Sequence, residues 1–391
     1  LFELLNLRKV TKMDFSLSHD EKLIRDSARE FLERECPSDL VREMEEDDLG
    51  YPPGLWKKMA ELGWLGLLYP DQYGGSDGTF MELIVLLEAM GRYVVPVPFL
   101  STVVLGGLSI LYAGTEEQKN EFLPRISGGE LKLTMASTEA DLDYDVTGIN
   151  VRAIRKGNDF LIHGTKLFVP YAHAADYIIC AARTDEEGEQ ERRITLFLVE
   201  GHCRGLSYTA LKTVSCEKQY EVTFSGIEIP ENNILGKCGE GWETMRKVLE
   251  CTAVSQCALM VGGAERALEI AIDYAKKRIQ FGHRIGSFQA IQHRIADSMV
   301  DLDGARLATY RAVWKLDRGL SCSQEVSVAK AWANQACQRI CANAHQVLGG
   351  VGVINDHDIQ LYSRRAKMAE YLWGDTNFHQ EIVANHLEQM S

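Results

Sequence analysis

Apolar residues recur at helical spacing through the first third of the chain, give way to short β-branched runs, then return to helical spacing over much longer stretches. In LIRDSAREFLERE, Leu23, Ile24, Ala28, Phe31 and Leu32 fall on one helical face, with Ser18, Asp20 and Glu21 ahead of them as capping groups. Pro37 interrupts this helix. Further helices are predicted over 55–62, 80–93, 100–112 and 116–126, with Pro96 and Pro98 breaking the pattern between the second and third of these. Residues 69–75, YPDQYGG, read as a loop dense in turn formers.

The pattern changes at Gly128-Gly129. LKLTMAST, INVRAIRK, DFLIHGTKLFV, DYIICAAR, ITLFLVE, LSYTAL and YEVTFSGIEI have strand chemistry, with turn signals at 157–159, 185–188, Gly201 and 230–233. Seven strands without intervening helices predict an antiparallel sandwich or barrel of ~100 residues. Beyond Gly239, helices over 242–279, 288–318 and 324–348 predict an antiparallel bundle. The fold class is α+β: an N-terminal all-helical domain (14–128), a middle antiparallel β domain (129–238) and a C-terminal four-helix bundle (239–391).

Composition narrows the function. The 391 residues are 46% hydrophobic, enough to build a core in each of two or three domains. A net charge of -14 argues against nucleic acid or an anionic membrane as the main partner. No apolar run approaches the roughly 18 residues of a spanning helix, so no membrane insertion is expected. LFELLNLRKVTK lacks a signal peptide's apolar core and reads as an extension ahead of a native start near Met13. The ten cysteines form no regular framework. Cys251, Cys257, Cys337 and Cys341 lie in helical apolar runs, as reduced thiols of a cytoplasmic protein would, and none has zinc-like spacing, so no metal is expected.

Four sequence words stand out. They are Pro70-Asp71-Gln72-Tyr73-Gly74-Gly75; Thr138-Glu139 after a strand; Arg278-Ile279-Gln280-Phe281-Gly282 followed by Phe288-Gln289-Ala290-Ile291-Gln292; and Gln346 leading into Gly349, Gly350 and Gly352. In this order, across nearly the whole chain, they resemble the acyl-CoA dehydrogenase family. The resemblance implies bound FAD, an acyl-CoA substrate, and electron-transferring flavoprotein as the electron acceptor. A carboxylate would remove the α-proton while hydride leaves the β-carbon. Subunits would pair, one supplying the flavin-ring site and its mate clamping the rest of the FAD, in a homo- or hetero-tetramer.

The clamp half implied by the resemblance is intact. Arg278 offers a permanently charged fork for pyrophosphate and Phe281 a ring near the adenine. Gly349 and Gly350 let backbone N–H groups approach phosphate, and Gln346 and Asn377 offer amides. The ring half is altered. Thr138 and Phe168 keep family positions, but Pro170 stands where a hydroxyl would reach the flavin. Trp373 occupies the usual position of the catalytic carboxylate. Thr252 and Ala253 occupy the alternative position, and Glu250, about 200° round the helix from Thr252, is expected to face elsewhere. Asp375 is both a candidate base and the N-cap of the last helix. His345 reads as a packed histidine, and His379 is a candidate contact for the adenosine end of FAD.

The ending, LYSRRAKMAEYLWGDTNFHQEIVA, resembles a branch acting on bulky steroid, alicyclic or dicarboxylic CoA thioesters. Some of its members are heterotetramers in which one subunit has lost the base. Two readings stand: an active FAD-dependent acyl-CoA dehydrogenase with Asp375 as a relocated base, and a non-catalytic subunit that completes its partner's FAD site.

Overall fold

Capping boxes set three helix starts in the first block: Ser18 with Glu21, Thr79 with Glu82, and Thr115 with Gln118. The computed structural model describes residues 15–184 and 189–390. The expected extension ahead of Met13 and the turn expected at 185–188 lie outside the described residues. The first block contains α1 (His19–Glu35), α2 (Ser38–Glu46), α3 (Pro53–Glu61), α4 (Phe80–Arg92), α5 (Leu108–Ala113) and α6 (Glu116–Ser127). The single helix predicted over 100–112 is instead a π-helical stretch, Leu100–Gly107, leading into α5. The wider turn accompanies the Tyr69 hydroxyl, which donates to the Val103 carbonyl at 2.8 Å, while Gly107 leaves room for the Tyr69 ring.

All seven predicted strands form: β1 (Leu133–Ala136), β2 (Arg152–Lys156), β3 (Asp159–Pro170), β4 (Tyr177–Arg183), β5 (Ile194–Glu200), β6 (Leu206–Leu211) and β7 (Gln219–Pro230). A short β8 (Ile234–Leu235) joins them in one sheet. The sheet is mixed rather than purely antiparallel, because β1 runs parallel to β4, and β2 meets β4 in parallel at Arg152 and Arg183. The connection after β1 leaves the sheet at Ala136 and returns at Arg152 beside the same strand, further along β4. The buried carboxylate of Glu139 pins it, accepting from Lys166 Nζ at 2.6 Å, Asn150 N at 2.9 Å and Val151 N at 3.0 Å. Alternate residues of β4 and β5 enter two different cores. Ile179, Ala181, Leu196 and Leu198 join the helical core, and Ile178, Cys180, Phe197 and Val199 join a core within the β layer.

The last block holds α7 (Gly241–Lys277), a hairpin of β9 (Ile279–Gln280) and β10 (His283–Arg284), α8 (Gln289–Leu316), α9 (Ser323–Leu348), α10 (Ile359–Tyr371) and α11 (Thr376–Met390). At 37 residues, α7 is ~55 Å long and runs the length of the bundle. It lies hard against α4, because a Cβ at Gly91 or Gly262 would overlap the backbone of Leu259 or Glu88. The facing charges are tied together. Arg92 bonds Glu269, and Arg306 bridges Glu88 and Glu265.

The α10–α11 turn is anchored from beneath by Lys330. Its fully buried ammonium donates to Asn334 Oδ1 at 2.7 Å, Ala369 O at 2.9 Å and Gly374 O at 3.1 Å. Burial lowers its pKa to about 8. His379 holds the turn's other side: Nε2 donates to Trp373 O at 3.0 Å and Nδ1 accepts from Ser327 Oγ at 3.2 Å. Burial, then the Lys330 charge, lower the His379 pKa to about 4. Both contacts fix a turn in which Trp373 and Gly374 have φ of 61° and 104°.

Two predictions follow from this anchoring. Lys330→Met leaves buried carbonyls unsatisfied and should cost about 3 kcal/mol in urea unfolding. For His379, the unfolded chain takes up the proton more readily between its ordinary value of 6.5 and the folded value of about 4. The stability it contributes is whole above that window and falls away on acidification, by on the order of 3 kcal/mol at full protonation. Urea midpoints should drop more steeply from pH 7 to pH 5 in the parent than in His379→Gln.

Candidate functional site

Successive turns of α7 line two chambers that share part of their wall. Trp242, Met245, Arg246, Leu249, Glu250 and Ala253 face the first, a cavity of about 510 Å³ between the sheet and α7, α9, α10 and α11. Gln256, Leu259, Met260 and Gly263 face the second, about 110 Å³, which α4, the π-helical stretch and α10 close. Leu372 and Trp373 line both chambers, and this shared wall is the neck where the two adjoin.

Strand β3 divides its end between the two. Its pairing with β7 shifts register between Lys166 and Val169, and Phe168 within this bulge has a φ of 52°. The bulge turns the Phe168 ring into the first chamber, while Pro170 and Tyr171 line the second. Thr138 lines the first chamber beside Phe168, its carbonyl accepting from Leu167 N at 2.9 Å. Tyr144, which sequence reasoning did not single out as a contact, closes the first chamber's outer side. Its hydroxyl donates to Tyr371 O at 2.9 Å and its ring packs 5.2 Å from that of Phe378. Burial raises the Tyr144 phenol to about 12, which keeps it a donor.

At the neck, Trp373 offers no proton acceptor, and its Nε1 is buried without a protein partner. Asp375 is half-buried just beyond. Its Oδ1 accepts from Phe378 N at 2.8 Å as the cap of α11, and it is not part of either chamber wall. The expectation for α7 is reversed. Thr252 is fully buried, its hydroxyl spent on Val248 O at 2.7 Å, whereas Glu250 faces the first chamber in an ion pair with Arg246. The cavity stripe on α7 follows 242, 245/246, 249/250 and 253, so the face away from Thr252 is the one that matters. His379 is 3% exposed with both ring nitrogens engaged inside the chain, which places it in the turn rather than at an open adenosine site. His345 is packed as expected, 2.7 Å from Ser363 Oγ.

The remaining candidate residues sit elsewhere. Arg278 and Phe281 follow the far end of α7, ~54 Å along the helix from Trp242. Phe281 is 90% exposed at a φ of 53°. Gln346, Gly349 and Gly350 are exposed where α9 ends. A Cβ at Gly349 or Gly350 would meet open space. Asn377 is exposed on the first turn of α11. The chain thus brings Thr138 and Phe168 together, but holds Arg278, Phe281, Gln346, Gly349 and Gly350 apart from them. An aromatic wall in one place, and an exposed cation and an open glycine backbone elsewhere, fit the two halves of a flavin dinucleotide separately. The buried, unpartnered hydroxyl of Thr376 lies between Asp375 and Asn377. Lys330, Gln219 and Arg365 also escaped sequence reasoning. Lys330 was legible as a cation on the apolar stripe of Val326, Ala329, Ala333 and Cys337, whereas Gln219 and Arg365 carry no periodic signal.

Three family models match in chain order. They are the acyl-CoA dehydrogenase N-terminal domain over residues 18–130, the middle domain over 134–227 and the C-terminal domain over 239–388. The caffeyl-CoA reductase–Etf complex subunit CarC of Acetobacterium woodii is 32% identical, over 95% of this chain and 98% of its own length. Butyryl-CoA dehydrogenase from Megasphaera elsdenii superposes with a TM-score of 0.89 at 27% identity, covering 96% of this chain and 100% of its own. The ChsE4–ChsE5 complex from Mycobacterium tuberculosis includes a chain matching with a TM-score of 0.87 at 27% identity, covering 96% and 99%. With its helical, β and helical blocks in this order, and full-length matches of this kind, the chain belongs to the acyl-CoA dehydrogenase family of flavoprotein oxidoreductases.

Proposed function

We propose that this chain binds FAD and a CoA thioester and takes part in oxidoreduction across the α,β bond of the acyl group. The carrying observation is the pair of chambers necked at Trp373, with Thr138 and Phe168 on one side and an apolar pocket on the other. FAD, when bound, supplies the acceptor for the β-hydride. Thr138 and Phe168 would wall its ring. Arg278 would carry the pyrophosphate charge, Gly349 and Gly350 would admit phosphate to the backbone, and Phe281, Gln346 and Asn377 would hold the adenosine side. The ~54 Å along α7 between Trp242 and Arg278 exceeds the reach of one dinucleotide, so each clamp serves a second subunit's flavin in a homo- or hetero-tetramer. Kinship to a reductase–Etf complex subunit supports electron-transferring flavoprotein as the electron partner. All ten cysteines are free thiols, in keeping with the cytoplasm.

Desaturation needs an acceptor about 3 Å from the substrate's α-carbon proton. In the active reading that acceptor is Asp375, released from part of its capping role. A second reading is favoured by Trp373 itself. A neck with no acceptor, in a chain that also exposes a clamp at the far end of α7, suits a non-catalytic subunit that completes a partner's FAD site, and kinship to a chain of the ChsE4–ChsE5 complex is in keeping with it.

The visible spectrum of the purified chain separates these readings. A yellow protein that bleaches anaerobically with an acyl-CoA, and no longer does so as Asp375→Asn, is the active outcome. A protein that turns yellow only when co-produced with a paralogous subunit is the partner outcome. Failure to take up flavin under either condition overturns both. In whichever assembly is yellow, Arg278→Ala should weaken FAD binding about tenfold, read by flavin fluorescence on dilution.

A further inference from the structure

The second chamber is apolar over most of its wall, through Leu87, Met90, Val94, Val95, Leu259 and Met260. Where the sheet meets α10 it becomes polar, and there two buried atoms lack partners. Gln219 is 4% exposed, and its Oε1 accepts nothing from the protein. Arg365 Nε is likewise buried without an acceptor. Both residues line the chamber.

The charge on Arg365 is already answered. Its Nη1 donates to Glu217 Oε1, and Ser215 Oγ donates to Glu217 Oε2 at 3.2 Å, so both carboxylate oxygens are engaged. What remains where the sheet meets α10 is the unused donor Nε–H of Arg365 and the unused acceptor, the amide oxygen of Gln219; the indole Nε1–H of Trp373, which also lines the chamber, is a second unused donor. Leaving any of these unmade inside an apolar pocket is costly. A neutral hydroxyl is one donor and two acceptors, so a single hydroxyl can answer both Arg365 and Gln219. A carboxylate would bring a charge that the already paired Arg365 leaves uncompensated, and it has no proton to give the Gln219 oxygen.

We propose that the second chamber selects acyl groups bearing a neutral hydroxyl beyond the reacting carbons, with Gln219 and Arg365 as the specificity-determining pair. This rests on the reading of the chamber as the acyl site. The hydroxyl donates to Gln219 Oε1 and accepts from Arg365 Nε. The apolar wall holds the carbon skeleton, and the thioester end points to the Trp373 neck. No bond is made or broken in this recognition.

The test uses the flavin-loaded protein and CoA thioesters of one chain length: hexanoyl-CoA, its 4-, 5- and 6-hydroxy derivatives, and adipyl-CoA, with Kd from calorimetry. At least one hydroxylated thioester should bind about tenfold tighter than hexanoyl-CoA, with adipyl-CoA weaker than that best hydroxy derivative. Gln219→Leu should collapse the ratio of hydroxylated to plain Kd toward one. Equal or tighter binding of hexanoyl-CoA, or tightest binding of adipyl-CoA, overturns the proposal while leaving the chamber as an acyl site. A hydroxyl preference that survives in Gln219→Leu overturns the residue assignment. If none of the five binds, the acyl-site reading itself falls and takes the proposal with it. The parent protein's ranking decides the matter even if the variant does not fold.

Discussion

A single buried ammonium holds the geometry on which both chambers depend. Among the described residues Lys330 has no carboxylate within ion-pair distance. It is solvated by a side-chain amide and by main-chain carbonyls from the end of α10 and the turn beyond it. Those carbonyls belong to the group that every helix end leaves without an intrahelical partner. Lys330 supplies their donors from a neighbouring helix, so the end of α10 can stay buried and still turn sharply. Trp373 and Leu372, which form the neck, are on that turn. His379 locks the next carbonyl, and the cap from Asp375 starts α11 without delay. The positions closest to the expected chemistry are therefore held by polar contacts buried in helix packing.

The long helix α7 imposes the second constraint. Its first turns wall the first chamber and its last residues lead into the exposed Arg278 hairpin. α9 starts beside the same chamber and carries its own exposed glycines at the other end. A rigid rod of this length separates the first chamber from Arg278 within the chain, and under the proposed function association with another subunit is the direct way to unite them. The exposed apolar side chains of Ile279, Phe281, Val353 and Ile354 near those ends are of the kind that such association covers.

Much of this was legible in the sequence because it obeys local rules. Capping boxes, strand chemistry and helical periodicity report directly on backbone hydrogen bonding. The seven strands and the long helices follow from them. The parallel placement of β1 against β4 was not legible, since no local signal says which neighbour a strand will find. The π-helical stretch was hidden as well, because the contact that accompanies it comes from the hydroxyl of Tyr69, more than thirty positions earlier in the chain. At the site, Thr138 and Phe168 could be placed from motif words. The outward rotation of Thr252's face and the inward rotation of Glu250's could not, because a one-residue choice of reference changes which stripe of α7 meets the cavity. Gln219 and Arg365 were silent for a further reason: their meaning lies in hydrogen bonds not made, which only coordinates reveal.

The bulge in β3 has a consequence for how such a pocket can diversify. One strand end supplies a wall to each chamber, Phe168 to one and Pro170 to the other, and the irregular register between Lys166 and Val169 sets which side chain goes where. An insertion or deletion at this spot would swap the faces of everything after it, exchanging the lining of both chambers at once. Change that keeps the lining of the first chamber while altering that of the second must therefore come through point replacements on either side of the bulge. The strand behaves as a two-sided template whose halves vary independently so long as its length does not.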